Sequence, residues 1–155
     1  MKKLILAFAL LAIGSPLWAQ QAGQFGGGLL LGDPIGGTAK YWIDGTKAFD
    51  FGLGERDSEM AVYADFVWHN WDILPQPAKG KLGPYLAVGP QIVTYDNAQF
   101  GLRTMVGLSY WIPDHPIELF AEAGPLFILN NDQGISADGG VGVRFYIGDT
   151  AGGKK

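Results

Sequence analysis

Phe100-Gly101-Leu102-Arg103-Thr104-Met105-Val106-Gly107-Leu108-Ser109-Tyr110-Trp111-Ile112 divides, residue by residue, into two unlike columns. Phe100, Leu102, Thr104, Val106, Leu108, Tyr110 and Ile112 form one; Gly101, Arg103, Met105, Gly107, Ser109 and Trp111 form the other. Alternate side chains of a strand point to opposite faces, so this period of two marks a strand with one apolar side and one small or charged side. The same division recurs in Ala48–Arg56, where Phe49, Phe51 and Leu53 alternate with Asp50, Gly52 and Gly54. It returns near the end, where Val141, Val143, Phe145 and Ile147 oppose Gly140, Gly142, Arg144 and Tyr146. No segment carries a helical period.

Working outward from that stretch, turn residues cut the chain into eight strand segments: Phe25–Leu31, Gly37–Asp44, Ala48–Arg56, Met60–Trp71, Leu82–Thr94, Phe100–Ile112, Ile117–Ile128 and Ile135–Ile147. The breaks hold Asp33-Pro34-Ile35-Gly36, Asp44–Lys47, Arg56–Glu59, Asp72–Lys81, Asp96-Asn97, Pro113–Pro116 and Asn130–Gly134. A repeat at an offset of 35 residues superposes Gly89-Pro90 on Gly124-Pro125 and Gly107–Ile112 on Gly142–Ile147. The repeating unit is therefore one hairpin, as an up-and-down meander requires. Proline cannot donate to a ladder, so the matched prolines predict a shared bulge or kink.

Ahead of these strands, Lys2 and Lys3 precede the apolar run Leu4–Ile13 and a Leu17-Trp18-Ala19 ending. A charged start, a short apolar core and a small residue before Gln20 predict a secretory signal peptide over residues 1–19. The run is too short to span a bilayer as a helix, for which about 20 residues are needed. Residues 20–155 then form a single barrel domain, with 148–155 as a polar tail. The signal carries two of the 11 basic residues and none of the 15 acidic ones, so the mature chain is acidic, with nine bases against 15 acids. That balance argues against nucleic acid, because no basic stripe is present to neutralise phosphates. With no cysteine and two histidines, neither disulfides nor thiolate metal sites are available, and no metal or cofactor is implied.

Which column meets water decides the class. A soluble barrel turns its apolar column inward and carries Lys, Glu, Thr and Ser outside; an exported barrel binding a small apolar ligand would be built that way. Here the second column carries Gly52, Gly54, Gly83, Gly89, Gly101, Gly107, Gly124, Gly140 and Gly142 with sparse charge between them. Glycine weakens an exposed strand but suits the crowded inside of an eight-stranded barrel. The same column holds Lys40, Arg103 and Arg144 beside Asp50, Asp65, Glu118, Glu122 and Asp138, a mixed set able to pair in a confined interior. The other column is almost free of charge, as lipid-facing positions must be. The expected fold is an all-β, eight-stranded antiparallel up-and-down transmembrane barrel, apolar outside and polar inside. Aromatic pairs at the ends of the returning strands, namely Tyr41 and Trp42, Trp68 and Trp71, Tyr110 and Trp111, and Phe145 and Tyr146, predict a girdle at one bilayer interface. Phe49, Tyr85 and Phe120 open the outgoing strands at the same level.

The stretch Gly32–Trp42, followed by Ala48-Phe49-Asp50 and Gly52, resembles the opening of a family of small outer-membrane barrels similar to the OmpA transmembrane domain and OmpX. Ala64–His69 and the Gly107–Trp111 hairpin resemble its later strands. That resemblance implies a location in the cell outer membrane, contact with the bilayer and lipopolysaccharide, and insertion by the barrel-assembly machinery, with no established chemistry. Gly142, Phe145 and Ile147 resemble the terminal assembly signal, although the tail after Ile147 departs from it.

Candidate chemistry is sparse. Asp65 and His69 share a face four residues apart, a spacing read as a structural hydrogen bond before an acid–base pair. Glu118 and Glu122 share a face with Arg103, Arg144 and Lys40 in reach, which favours a salt network. Gly26-Gly27-Gly28 lacks the lysine and helix of a phosphate loop. The expected function is thus a non-enzymatic envelope protein, with a structural role or an external ligand contacted by short acidic turns; a small lipid-modifying enzyme is the remaining alternative.

Overall fold

A computed structural model of the chain describes residues 22–94, 96–130 and 133–147. The expected signal peptide and the polar tail lie outside these. Eight strands follow in order: β1 (Phe25–Asp33), β2 (Ile35–Trp42), β3 (Lys47–Arg56), β4 (Glu59–His69), β5 (Lys81–Val93), β6 (Gln99–Trp111), β7 (Ile117–Ile128) and β8 (Gly134–Ile147). Each pairs antiparallel with the next, and β8 returns to β1, from Phe25 opposite Ile147 to Asp33 opposite Gly139. The eight segments and the meander order are those legible in the alternation. One break differs: Asp33–Gly36 is not a four-residue loop, because Ile35 and Gly36 are drawn into the β2–β3 ladder opposite Glu55 and Gly54, leaving Pro34 alone between two strands.

Closing a sheet into a barrel requires tilted strands and a fixed stagger of register. Across the ladder, Gly28, Thr38, Gly52, Tyr63, Gln91, Gly101 and Ile128 lead round to Gly134 on β8. Gly28 itself pairs with Arg144, ten residues beyond Gly134 on that strand. The barrel therefore has a stagger of ten.

The matched prolines do not make the expected bulge. Tyr63 opposite Gln91 and Phe66 opposite Val88 keep one register across Pro90, as do Arg103 opposite Leu126 and Val106 opposite Ala123 across Pro125. What is lost is local pairing on the side each proline nitrogen faces. At these points the neighbouring strand closes in, and a Cβ at Gly89 or Gly124 would lie 1.9 Å from the carbonyl oxygen of Ala64 or Thr104. Close backbone approach explains why each proline follows a glycine.

Side-chain amides finish two ladders where a strand has ended. Gln76 accepts from the Leu82 N–H at 3.0 Å and donates to its carbonyl at 2.7 Å, standing in for β4. Asn130 accepts from the Phe100 N–H and donates to the Ala98 carbonyl, both at 2.7 Å.

The burial pattern is that of a barrel turned inside out. Leu29, Phe51, Leu53, Val106, Leu108, Leu119, Val141 and Phe145 are exposed, Val106 at 64 % of its surface, while Lys40, Arg103 and Arg144 are 0 % exposed. A soluble barrel with the apolar column inward is overturned by this arrangement.

Candidate functional site: the barrel interior

Every charged residue expected inside is inside, and the ladder brings them into two clusters. Toward the chain-terminal end, Arg144 on β8 bonds Asp50 on β3 at 3.0 Å and Glu118 on β7 at 3.1 Å, and both Nε and Nη2 donate to the Thr38 hydroxyl. Lys40 reaches Glu118 at 3.2 Å and Asp50 at 3.6 Å, and donates to His69 Nε2 at 3.1 Å. Ser109 and Tyr146 donate to the two oxygens of Glu118, at 2.7 and 2.6 Å. Two cations here face two carboxylates, so the cluster is charge-balanced.

Nearer the other end, Arg103 on β6 spends its fork on three strands. Nη1 bonds Asp65, Nη2 bonds Glu122 at 2.5 Å, and Nε bonds Asp138 at 2.9 Å. Tyr85 donates to the second Glu122 oxygen at 2.6 Å. Arginine suits this position because its planar donors can serve several carboxylates at fixed angles, which a lysine ammonium would not.

Aromatic rings cover the glycines of the same column. Tyr63 lies opposite Gly52, Tyr85 opposite Gly107, Phe120 opposite Gly142 and Tyr146 opposite Gly26. A Cβ at any of these four glycines would come within 2.0 to 2.5 Å of the facing ring. The glycines are floor space for rings, and the rings in turn face cations: Arg103 sits 4.0 Å from Tyr63 and Arg144 3.8 Å from Phe120.

The expected girdle is corrected by the same parity. Tyr41, Trp68 and Phe145 are exposed on the outer face, with Tyr110 half-buried; Trp42, Trp71, Trp111 and Tyr146 are buried. Neighbours on a strand cannot face the same way, so each adjacent pair gives one outer ring and one inner ring. Tyr85 and Phe120, expected at the same interface, also point inward. Trp42, Trp71, Trp111 and Tyr146 pack with His69 into a plug, with ring centroids 4.5 to 6.3 Å apart. Asp65 and His69 share a face but do not bond: four strand residues separate them by about 13 Å, and each finds another partner.

Arg56, shared in sequence by the third strand segment and the break after it, is an interior residue the sequence reading does not single out. It is buried in phase with Asp50, Gly52 and Gly54, pairs with Asp138 at 3.5 Å and Asp33 at 3.4 Å, and donates to the Ser136 hydroxyl at 2.8 Å. Its column was the available signal. Gly26–Gly28 are strand residues of β1, and Gly142, Phe145 and Ile147 lie on β8. Among the described residues no group of three or more His, Cys, Asp or Glu could hold a metal ion.

A closed eight-stranded antiparallel barrel with an ionic, aromatic-lined interior and an apolar exterior is the class these features define. The solved N-terminal β-barrel domain of Pseudomonas aeruginosa OprF has a similar fold, with a TM-score of 0.55 and 17 % sequence identity over 83 % of this chain and 100 % of that one. No protein-family model and no curated protein matches the sequence. The structural likeness bears out the fold that the resemblance in sequence implied.

Proposed function

We propose that this chain is an integral protein of the outer membrane, exported by its N-terminal signal, with acyl chains against its outer face and a filled, polar interior. Its role is non-enzymatic: mechanical support of the envelope or contact with an external ligand. The reversed burial pattern carries this reading. Between the strand ends, the outward positions of all eight strands hold no Asp, Glu, Lys or Arg; charge appears there only at the ends, with Asp33 closing β1 and Lys47 and Glu55 near the two ends of β3. A lysine or arginine at the bilayer midplane costs about 2–4 kcal/mol, and water would exact no such penalty. In support of a non-catalytic interior, the Ser109–Glu118–Lys40–His69 chain is buried throughout and its members bond to one another, with His69 Nδ1 left unpartnered against the surrounding rings.

With Phe25 and Ile147 at the periplasmic side, the Asn70–Gly80 loop also faces the periplasm, and the β1–β2, β3–β4, β5–β6 and β7–β8 connections face out. Fractionation of cell envelopes tests the reading. The protein is expected in the outer-membrane pellet, to need detergent for release, and to migrate differently before and after heating; a monomer soluble in buffer would contradict it. Loss of a lipid modification on removing the protein would favour the enzyme alternative.

A further inference from the structure

In a closed barrel every strand edge is paired, yet β8 outruns its neighbour. The β1–β8 ladder stops at Asp33 opposite Gly139, and the next strand residue, Ile35, belongs to β2 and pairs with Glu55. Gly134–Asp138 therefore pairs with β7 alone. Gly139, with φ +146°, marks the point where β1 leaves. The backbone polarity of this overhang follows from two contacts. The Ala137 carbonyl accepts from Arg56 Nη2 at 3.2 Å on the side away from β7. Opposite Ala137 stands Pro125, which has no N–H to exchange across that pair. In an antiparallel strand the N–H and C=O of one residue point the same way and alternate along the chain, so Ile135 and Ala137 both present their backbone groups to the open side. Ile135 is 72 % exposed beside them. Arg56 takes one acceptor that β1 would have served and leaves the rest of the edge open.

The surroundings specify the charge of an occupant. Among the described residues at this end and outside the interior, Asp33, Glu55, Asp57, Glu59 and Asp96 stand without a surface cation, and Arg56, in the interior column, is buried. Arg56 is itself engaged with Asp33 and Asp138. Among the described residues the opposite end is balanced, with Lys47, Lys79 and Lys81 against Asp44, Asp72 and Asp114.

We propose that the β8 overhang, Gly134–Asp138, is a docking edge for an extended basic peptide segment, which adds to it as a strand. Main-chain bonds at Ile135 and Ala137 provide the pairing, an aliphatic side chain of the partner lies against Ile135, and its lysines or arginines meet the acidic rim. A second copy of this chain fits less well, because rotation about an axis along the barrel brings two acidic rims together.

The test uses the refolded protein in detergent micelles and a synthetic peptide of alternating lysine and valine, with a glutamate–valine peptide as control. Backbone amide resonances of Ile135 and Ala137 are expected to shift and to exchange more slowly on addition of the basic peptide. Ala137→Pro removes an N–H that faces the open side and no bond to β7, so the barrel is expected to keep its heat-dependent migration while losing peptide binding. Asp57→Lys combined with Glu59→Lys is expected to weaken binding by about tenfold. Equal binding of the glutamate peptide, shifts confined to other residues, unchanged binding by the proline variant, or protection that grows with protein concentration alone would each overturn the proposal, the last in favour of a second copy.

Discussion

At the scale of single residues, one arginine organises half of the interior. Arg103 holds Asp65, Glu122 and Asp138, from three different strands, around one guanidinium. Arg103→Met fills similar space and leaves the buried Asp65 and Glu122 without their cation, while Asp138 keeps Arg56, a change that costs about 3–5 kcal/mol for a broken buried pair. The expected outcome is a lower urea midpoint for unfolding in micelles; an unchanged midpoint would mean that the network contributes nothing measurable. The glycines divide just as sharply. Gly107→Val places a branched side chain where the Tyr85 ring stands 2.1 Å from a would-be Cβ, whereas nothing lies within 4 Å of one at Gly27. The first variant is expected to fail to refold and Gly27→Ala to refold normally, as read by the heat-dependent band. Parity is what made these residues legible. Asp50, Arg103 and Arg144 could be placed inside because each has a glycine two positions away, Gly52, Gly101 and Gly142, and Lys40 because it alternates with the apolar Tyr41 and Ala39. Trp42, Trp111 and Tyr146 sat in the same columns, yet their nearness to strand ends suggested an interface. Alternation outweighs position along the strand, since adjacent residues cannot share a face.

At the scale of elements, strands were readable and the devices that end them were not. Period-two alternation survives any tertiary context in which the two faces differ, so β3, β6 and β8 declared themselves. Gln76 and Asn130 finishing ladders through their amides depend on which backbone groups are left over, which no local pattern encodes. The β2–β3 turn shows how a short break is fixed by one side chain. Asp44 accepts from the Thr46 N–H at 2.7 Å, the Thr46 hydroxyl at 2.9 Å and the Lys47 N–H at 2.8 Å. The Thr46 N–H above all, with its hydroxyl and the Lys47 N–H, holds this exposed carboxyl at about 2, below its ordinary 3.8. A carboxyl lowered by folding stabilises the turn fully above its unfolded value and loses that contribution as pH falls through the folded one. The Thr46 and Lys47 amide signals should therefore titrate together with a midpoint near 2 and stop titrating in Asp44→Asn. A midpoint in the ordinary carboxylate range would remove the hydrogen bonds as its cause.

Over the whole molecule, the meander order and the reversed burial follow from the sequence because both are statements about faces. The stagger of ten and the overhang of β8 are statements about register around a closed ring, and register is set by contacts between strands far apart in the chain. The interior is also organised along its length: ionic clusters occupy the middle, and the plug of Trp42, Trp71, Trp111, Tyr146 and His69 closes the end where β1 begins and β8 finishes. All of this has a purpose only if the outer column is solvated by hydrocarbon. The chain has no cysteine, so a nitroxide attached to Val106→Cys in the protein reconstituted into lipid vesicles reports on that column without interference. Collisions with dissolved oxygen, which concentrates in the acyl region, are expected to be frequent and collisions with a water-soluble nickel chelate rare. Frequent collisions with the nickel chelate and few with oxygen would place Val106 in water and contradict the account.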